Sequence, residues 1–209
     1  MGARNPKALY RDSVFINCPF DVDYLPIFRA IVFTVAACGY DPRCTLEHED
    51  ASQVRIEKIY RLIEQSAFGI HDISRTELDA ENQLPRFNMP LELGVFLGAK
   101  KFGHGKHASK RCLVLDCERY RFQKFISDIA GQDIKAHHNR PDDGIRAVRD
   151  WLRNALGAKA IPSGSVLSAD YDLFTKDLPG LCEAARLNPS DLTFTDFYSL
   201  VFDWLAANR

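Results

Sequence analysis

Glu92, in the segment Arg86-Phe87-Asn88-Met89-Pro90-Leu91-Glu92-Leu93-Gly94, is the acid whose surroundings point most directly to chemistry. The residues after it, Leu93, Val95, Phe96 and Leu97, make its turn of helix otherwise apolar, so the carboxylate is expected to be partly buried. One reading is electrostatic: an acid near a helix N-terminus offsets the helix dipole and caps back toward Asn88. The other is catalytic. Glycosidic cleavage passes through an oxocarbenium-like state, which a carboxylate fixed beside the anomeric carbon stabilises or attacks. Around Glu92 stand polar residues at the ends of apolar runs. Asn17 closes the first run and is a ligand candidate, whereas Asp21 and Asp23 suit the capping of the next helix. Asp72, Ser74 and Arg75 follow a later run. They suit a ribose or a phosphate, for which a guanidinium fork is apt, or equally a salt-bridged loop. Arg86 is placed to meet a phosphate or to pair with Asp72 or Glu77, and Asn88 to cap the helix or to offer its amide to a ribose hydroxyl.

Other chemistries find less support. His71 lies inside an apolar strand pattern and reads as a core histidine. His104 and His107 flank Gly105 in a loop. Asp128, Asp133, His137 and His138 match no ligand-spacing rule, and no metal site is assigned. Cys18 has no base placed beside it and reads as a small buried thiol. The six cysteines form no C-x-x-C and no zinc-finger pair. Neither G-x-x-x-x-G-K-[ST] nor G-x-G-x-x-G occurs, which argues against ATP-driven and ordinary dehydrogenase chemistry.

The elements that must position these residues alternate. Residues 13–17 read as a strand, 25–38 as a buried helix stopped by Gly39, and 40–45 as a short edge strand around Pro42. Residues 52–65 form the cleanest amphipathic helix, with Ser52 or Asp50 as its N-cap. A strand follows at 68–73, a loop at 76–86, a helix at 88–101 with Asn88 as N-cap, a strand at 111–116 and a helix at 142–156. Alternation of this kind predicts an α/β fold: a parallel sheet with helices on both faces. Residues 163–168 are small and read as a linker. The remainder is helical at 178–187 and 196–208, with an apolar face from Phe197 to Leu205 that either packs on the core or supplies an interface. The expected division is a tail at 1–12, an α/β domain at 13–160 and a C-terminal helical extension at 161–209.

Composition sets the outer limits. In 209 residues, 27 basic and 28 acidic side chains leave a net charge of -1, unlike the clearly basic balance of a dedicated nucleic-acid binder. Hydrophobic residues at 46% and charged residues at 26% are those of a folded globular chain. No apolar run reaches the length of a membrane span and the start has no signal-peptide core, so a cytoplasmic protein with reduced thiols is expected.

A strand, a polar loop and a helix opening with P-x-E-L-G at Pro90–Gly94 resemble the glutamate-bearing helix of two related groups. These are the nucleoside 2-deoxyribosyltransferases and the Toll/interleukin-receptor (TIR) domains, whose enzymatic members cleave NAD at the nicotinamide–ribose bond. The opening Val14-Phe15-Ile16-Asn17 is similar to the "hydrophobic-F-I-S" start of TIR domains. The resemblance runs over roughly residues 13 to 156 in order of elements. It departs where Asn17 and Cys18 replace a serine-rich opening, where no tryptophan precedes Glu92, and in the loop from His71 to Arg75. It implies a flavodoxin-like sheet and Glu92 as the catalytic acid. It further implies a nucleotide substrate, NAD foremost, held by Asn17, Asp72, Ser74, Arg75, Arg86 and Asn88, with no separate cofactor. Homo-oligomerisation and a place in bacterial antiviral defence, by NAD hydrolysis or cyclisation, are implied by the same resemblance. A nucleotide-sensing or protein-interaction module without catalysis, and a deoxyribosyltransferase-like enzyme, remain alternatives.

Overall fold

The computed structural model describes residues 9–47, 52–78, 83–156 and 160–209. Its strands are β1 (Ser13–Asn17), β2 (Asp41–Arg43), β3 (Phe68–Asp72), β4 (Arg111–Asp116) and β5 (Lys135–Ala136). They form one parallel sheet in the order β2-β1-β3-β4-β5, with Asn17 opposite His71 and Asp72 opposite Leu115. Every residue of β1 and β3 is buried. The runs Val14-Phe15-Ile16 and Leu113-Val114-Leu115 are continuously apolar because both faces of the sheet are covered. Pro42 sits on the edge strand β2, where a missing N–H leaves no gap in the interior of the ladder.

The helices are α1 (Leu25–Ala37), α2 (Arg55–Gln65), α3 (Asn88–Phe102), α4 (Pro141–Leu156), α5 (Gly164–Ala185) and α6 (Phe194–Asn208). Side chains alternate across the sheet. Val14, Ile16, Ile70 and Leu115 share a core with α1 and α4, while Phe15 packs with Ile59, Leu62 and Ile63 of α2 and Phe96 of α3. The sheet is therefore flavodoxin-like, with helices on both faces. α5 and α6 add a layer outside α1. Phe33 of α1 meets Phe174 of α5 at 5.4 Å and Trp204 of α6 at 5.9 Å between ring centroids. α1 is apolar around most of its circumference because sheet and outer helices cover it from two sides. Gly39, at φ +79°, ends the turn after α1 in a conformation that glycine adopts without strain. The apolar face of α6 (Phe197, Leu200, Val201 and Trp204) is buried in that same core, so it packs inward.

Several elements differ from the expectation. α2 begins at Arg55, three residues late, because Val54 is extended and no side chain caps the helix. The small residues read as a linker open α5 instead: Ser163 is the N-cap, its Oγ accepting from the Val166 N–H at 3.4 Å. α3 starts at Asn88 itself, with Phe87 in the N-cap position, so Asn88 does not cap it. β5 was not anticipated; two residues carry no periodicity. The alternative N-cap Asp50 lies outside the described residues.

Candidate functional site

The chain leaves β1 for β2 on one side and then crosses to β3 on the other. The carboxyl ends of β1 and β3 therefore define the switch point where doubly wound sheets open a crevice. Asn17 ends β1 and Asp72 ends β3.

Asn17 is 3% exposed, and its amide is engaged within the protein. Nδ2 donates to the main-chain oxygen of Met89 at 3.0 Å and lies 3.1 Å from Nδ1 of His71. With the amide as donor, Nδ1 accepts and the imidazole proton sits on Nε2, which is buried and finds no partner among the described residues. Burial, helped by the charge of Lys110, pulls His71 down to about 3, so the ring is neutral at ordinary pH. It stands edge-on to Phe15 at 5.8 Å and to Phe96 at 4.9 Å. Gly69 makes the room: a Cβ there would lie 2.7 Å from His71 Nε2 and 2.8 Å from Phe96.

Glu92 comes one helical turn after Met89. It is 4% exposed, and its carboxylate makes no hydrogen bond or ion pair among the described residues. Burial pushes its carboxyl up to about 7, against the opposing charge of Arg55. Cys18, the residue after Asn17, reports the local field. Its thiol is raised well above its usual range by burial first, then by the nearby acids Asp72, Glu92 and Asp21. Asp21 is itself paired with Arg75, so the uncompensated negative charge at this end of β1 comes from the buried acids.

Asp72 is wholly buried and supplied with donors. Tyr24 Oη donates to Oδ2 at 2.7 Å and the Ser74 N–H to Oδ1 at 2.9 Å. His137 Nε2 lies 3.1 Å from Oδ2 without making a hydrogen bond to it, and His137 Nδ1 accepts from the Asn139 N–H, which leaves the imidazole proton on Nε2. The metal reading of His137 therefore meets a ring turned inward, and among the described residues no cluster of His, Cys, Asp or Glu is disposed to hold a metal. Ser74 is buried with its Oγ unpartnered, and Arg75 reaches Asp21 at 3.5 Å on the half-exposed rim. Arg86 and Asn88 are exposed where α3 begins.

The structure thus gathers Asn17, Asp72, Ser74 and Glu92 at the switch point, sets Arg75 at the rim, and leaves Arg86 and Asn88 on the surface. Sequence reasoning missed Tyr24 and Arg121, and weighed His137 only as a metal ligand and not as a neighbour of Asp72. Arg121 donates to Asp116 at 2.7 Å, to the Ile73 carbonyl at 2.8 Å and to Thr76 at 3.1 Å, and it approaches Glu77 at 3.5 Å. It clamps the loop after β3 in the role considered for Arg86.

Fold and site together define a flavodoxin-like α/β protein with a buried acid at the switch point of its sheet. Comparison with family models, curated proteins and solved structures gives no match for the chain. No helix among the described residues is long and apolar enough to cross a membrane.

Proposed function

We propose that the protein cleaves the N-glycosidic bond of a nucleotide, with NAD as the substrate and Glu92 as the carboxylate that acts at the anomeric carbon. The supporting observation is that Glu92 is buried beside the carboxyl end of β1 with no hydrogen bond or ion pair among the described residues, Arg55 acting on it only through its charge. A carboxylate so placed is left to interact with a positive centre. NAD supplies two such centres, the pyridinium of the ground state and the ribosyl cation of the transition state. In the reaction the C1′–N bond breaks and its electron pair goes to the pyridinium nitrogen, so nicotinamide leaves neutral and needs no general acid. Water, or an atom of the same nucleotide, then bonds to C1′; an attacking water passes its proton to the surrounding solvent in doing so. Glu92 acts in its ionised form throughout.

Within this reading Ser74 and Arg75 contact ribose and phosphate, while Asn17 and Asp72 fix the ends of β1 and β3 through their internal hydrogen bonds. Arg86 and Asn88 would take part only with the outer portion of a long ligand. A second reading, a nucleotide-sensing module without catalysis, is favoured by the internal engagement of Asn17 and Asp72, which leaves fewer groups to hold a reacting sugar.

Purified protein incubated with NAD, and separately with deoxynucleosides, decides among these readings. Free nicotinamide from the wild type but not from Glu92→Ala supports NAD cleavage, and free base from deoxynucleosides alone redirects the reading to a transferase. Binding without product favours the sensor. Absence of product under forced oligomerisation overturns the enzymatic reading.

A further inference from the structure

The sheet stops short along the outer edge of β4. β5 pairs only with Leu115 and Asp116, so no described strand lies beyond residues 111–114. The Arg111 N–H bonds to the Ala67 carbonyl, and the Leu115 carbonyl accepts from Ile73. Backbone groups at 111, 113 and 115 therefore turn toward β3, and those of Cys112 and Val114 turn outward. A groove of about 1380 Å³ runs along this edge between α3 and α4, with Cys112 and Val114 in its floor and Trp151 in its wall; Glu92 takes no part in it.

The charges around the groove are unevenly satisfied. Its acids already have partners: Asp133 has Lys135 at 2.8 Å, Asp143 has Arg140 at 3.2 Å, and Asp150 has Arg149 at 3.0 Å. Lys100, Lys101, Arg119 and Arg146 also line the groove and are exposed. None of these four makes an ion pair among the described residues.

We propose that this groove binds an acidic, extended peptide segment of a partner protein, which adds to β4 as a further strand. A strand edge offers N–H donors and C=O acceptors in alternation, a pattern that a peptide backbone answers and a phosphate does not. The four unpaired cations select acidic side chains on the incoming strand. The slot lies beside Cys112–Val114, where β5 would continue if it were longer. The proposal is independent of what Glu92 does.

The test uses the full chain and a labelled synthetic peptide of about eight residues, alternating glutamate and valine, long enough to span the open edge. Expected are saturable binding that weakens with added salt, and amide resonance shifts at Cys112 and Val114. Lys100→Glu combined with Arg146→Glu should weaken binding about tenfold or more. Both side chains are on the surface, and an unchanged amide spectrum of the variant shows that it still folds. Failure of the peptide to bind would overturn the proposal, leaving the lysines as guards of an edge that pairs with nothing. Equal binding of a peptide with prolines in place of its valines would overturn it too, because charge alone would then account for the attraction. So would resonance shifts confined to the neighbourhood of Glu92.

Discussion

The side-chain amide of Asn17 is tied to the main-chain carbonyl of Met89 at 3.0 Å, fastening the end of β1 to the first turn of α3. Glu92 follows on the next turn, so the acid's position depends on a contact it does not make itself. Asn17→Ala leaves the Met89 carbonyl and His71 Nδ1 without their donor in a buried site, which costs about 1–3 kcal/mol. Denaturant unfolding of the variant measures that cost. If Glu92 acts on the ribosyl centre, turnover falls while KM changes little, because the amide orients the acid and does not bind the substrate. A variant with normal kcat would show that α3 is held well enough by its other contacts.

Glu92 itself opposes folding at high pH. Its carboxyl is raised to about 7 from an ordinary 4.5, so the folded state holds its proton more tightly than the unfolded chain does. Stability from this group is complete below pH 4.5, falls as pH rises toward 7, and levels off above. At about 1.4 kcal/mol per unit, the penalty at pH 8 is on the order of 3 kcal/mol. Glu92→Gln removes the ionisation and is expected to be more stable than wild type by roughly that amount at pH 8, with the difference gone near pH 4. Paired denaturation curves at the two pH values check it, and equal stability at both would mean that the acid is solvated. Catalysis has the opposite requirement. Nicotinamide release by the wild type should rise through pH 7 as Glu92 ionises, whereas an acid-assisted departure of a neutral base would fall over the same range.

Much of this arrangement was legible in the sequence, and what was hidden was hidden for definite reasons. β1 and β4 announced themselves as short unbroken apolar runs because helices cover both faces of the sheet, and β3 as an apolar pattern with His71 inside it. The burial of Glu92 followed from Leu93, Phe96 and Leu97 around it. The contact that positions it did not, since the partner of Asn17 is a backbone carbonyl 72 residues away and carries no side-chain signature. Asp72 read as a ligand candidate because its side-chain donor, Tyr24, comes from a distant element and its other donor is a main-chain N–H. The start of α5 was masked by Ser163, Gly164 and Ser165, residues that serve as a cap and first turn as readily as a linker. β5 is too short to show a period at all.

Tyr24 is the neutral donor to Asp72, at 2.7 Å in a fully buried site, and its phenol is raised well above its usual range by burial and by that carboxylate. Tyr24→Phe removes the hydroxyl and little else, so Asp72 keeps the Ser74 N–H but loses its side-chain donor, with His137 Nε2 close to Oδ2 but not hydrogen-bonded to it. A cost of about 1–3 kcal/mol is expected, since the lost acceptor site stays buried. Thermal unfolding of the variant measures it. A negligible effect would show that His137 turns to take over the vacated oxygen.

His71 and Glu92 titrate against each other in their effects on stability. His71 is lowered to about 3 from an ordinary 6.5, so between those values the unfolded chain binds the proton that the folded state excludes. Its contribution to stability is therefore lost as pH falls below 6.5, by roughly 1.4 kcal/mol per unit. Glu92 gains stability over nearly the same interval as pH falls from about 7 toward 4.5. The two slopes have opposite sign and similar size, so they nearly cancel in the wild type between pH 6.5 and 4.5. Each substitution should unmask the other group. In Glu92→Gln, stability should fall as pH drops through this window. In His71→Asn, whose side-chain oxygen can still accept from Asn17, stability should rise over the same window. The slopes carry the test, because a change in packing at position 71 shifts stability at every pH alike. Parallel pH profiles for wild type and both variants would show that neither group is buried enough to oppose its own charge.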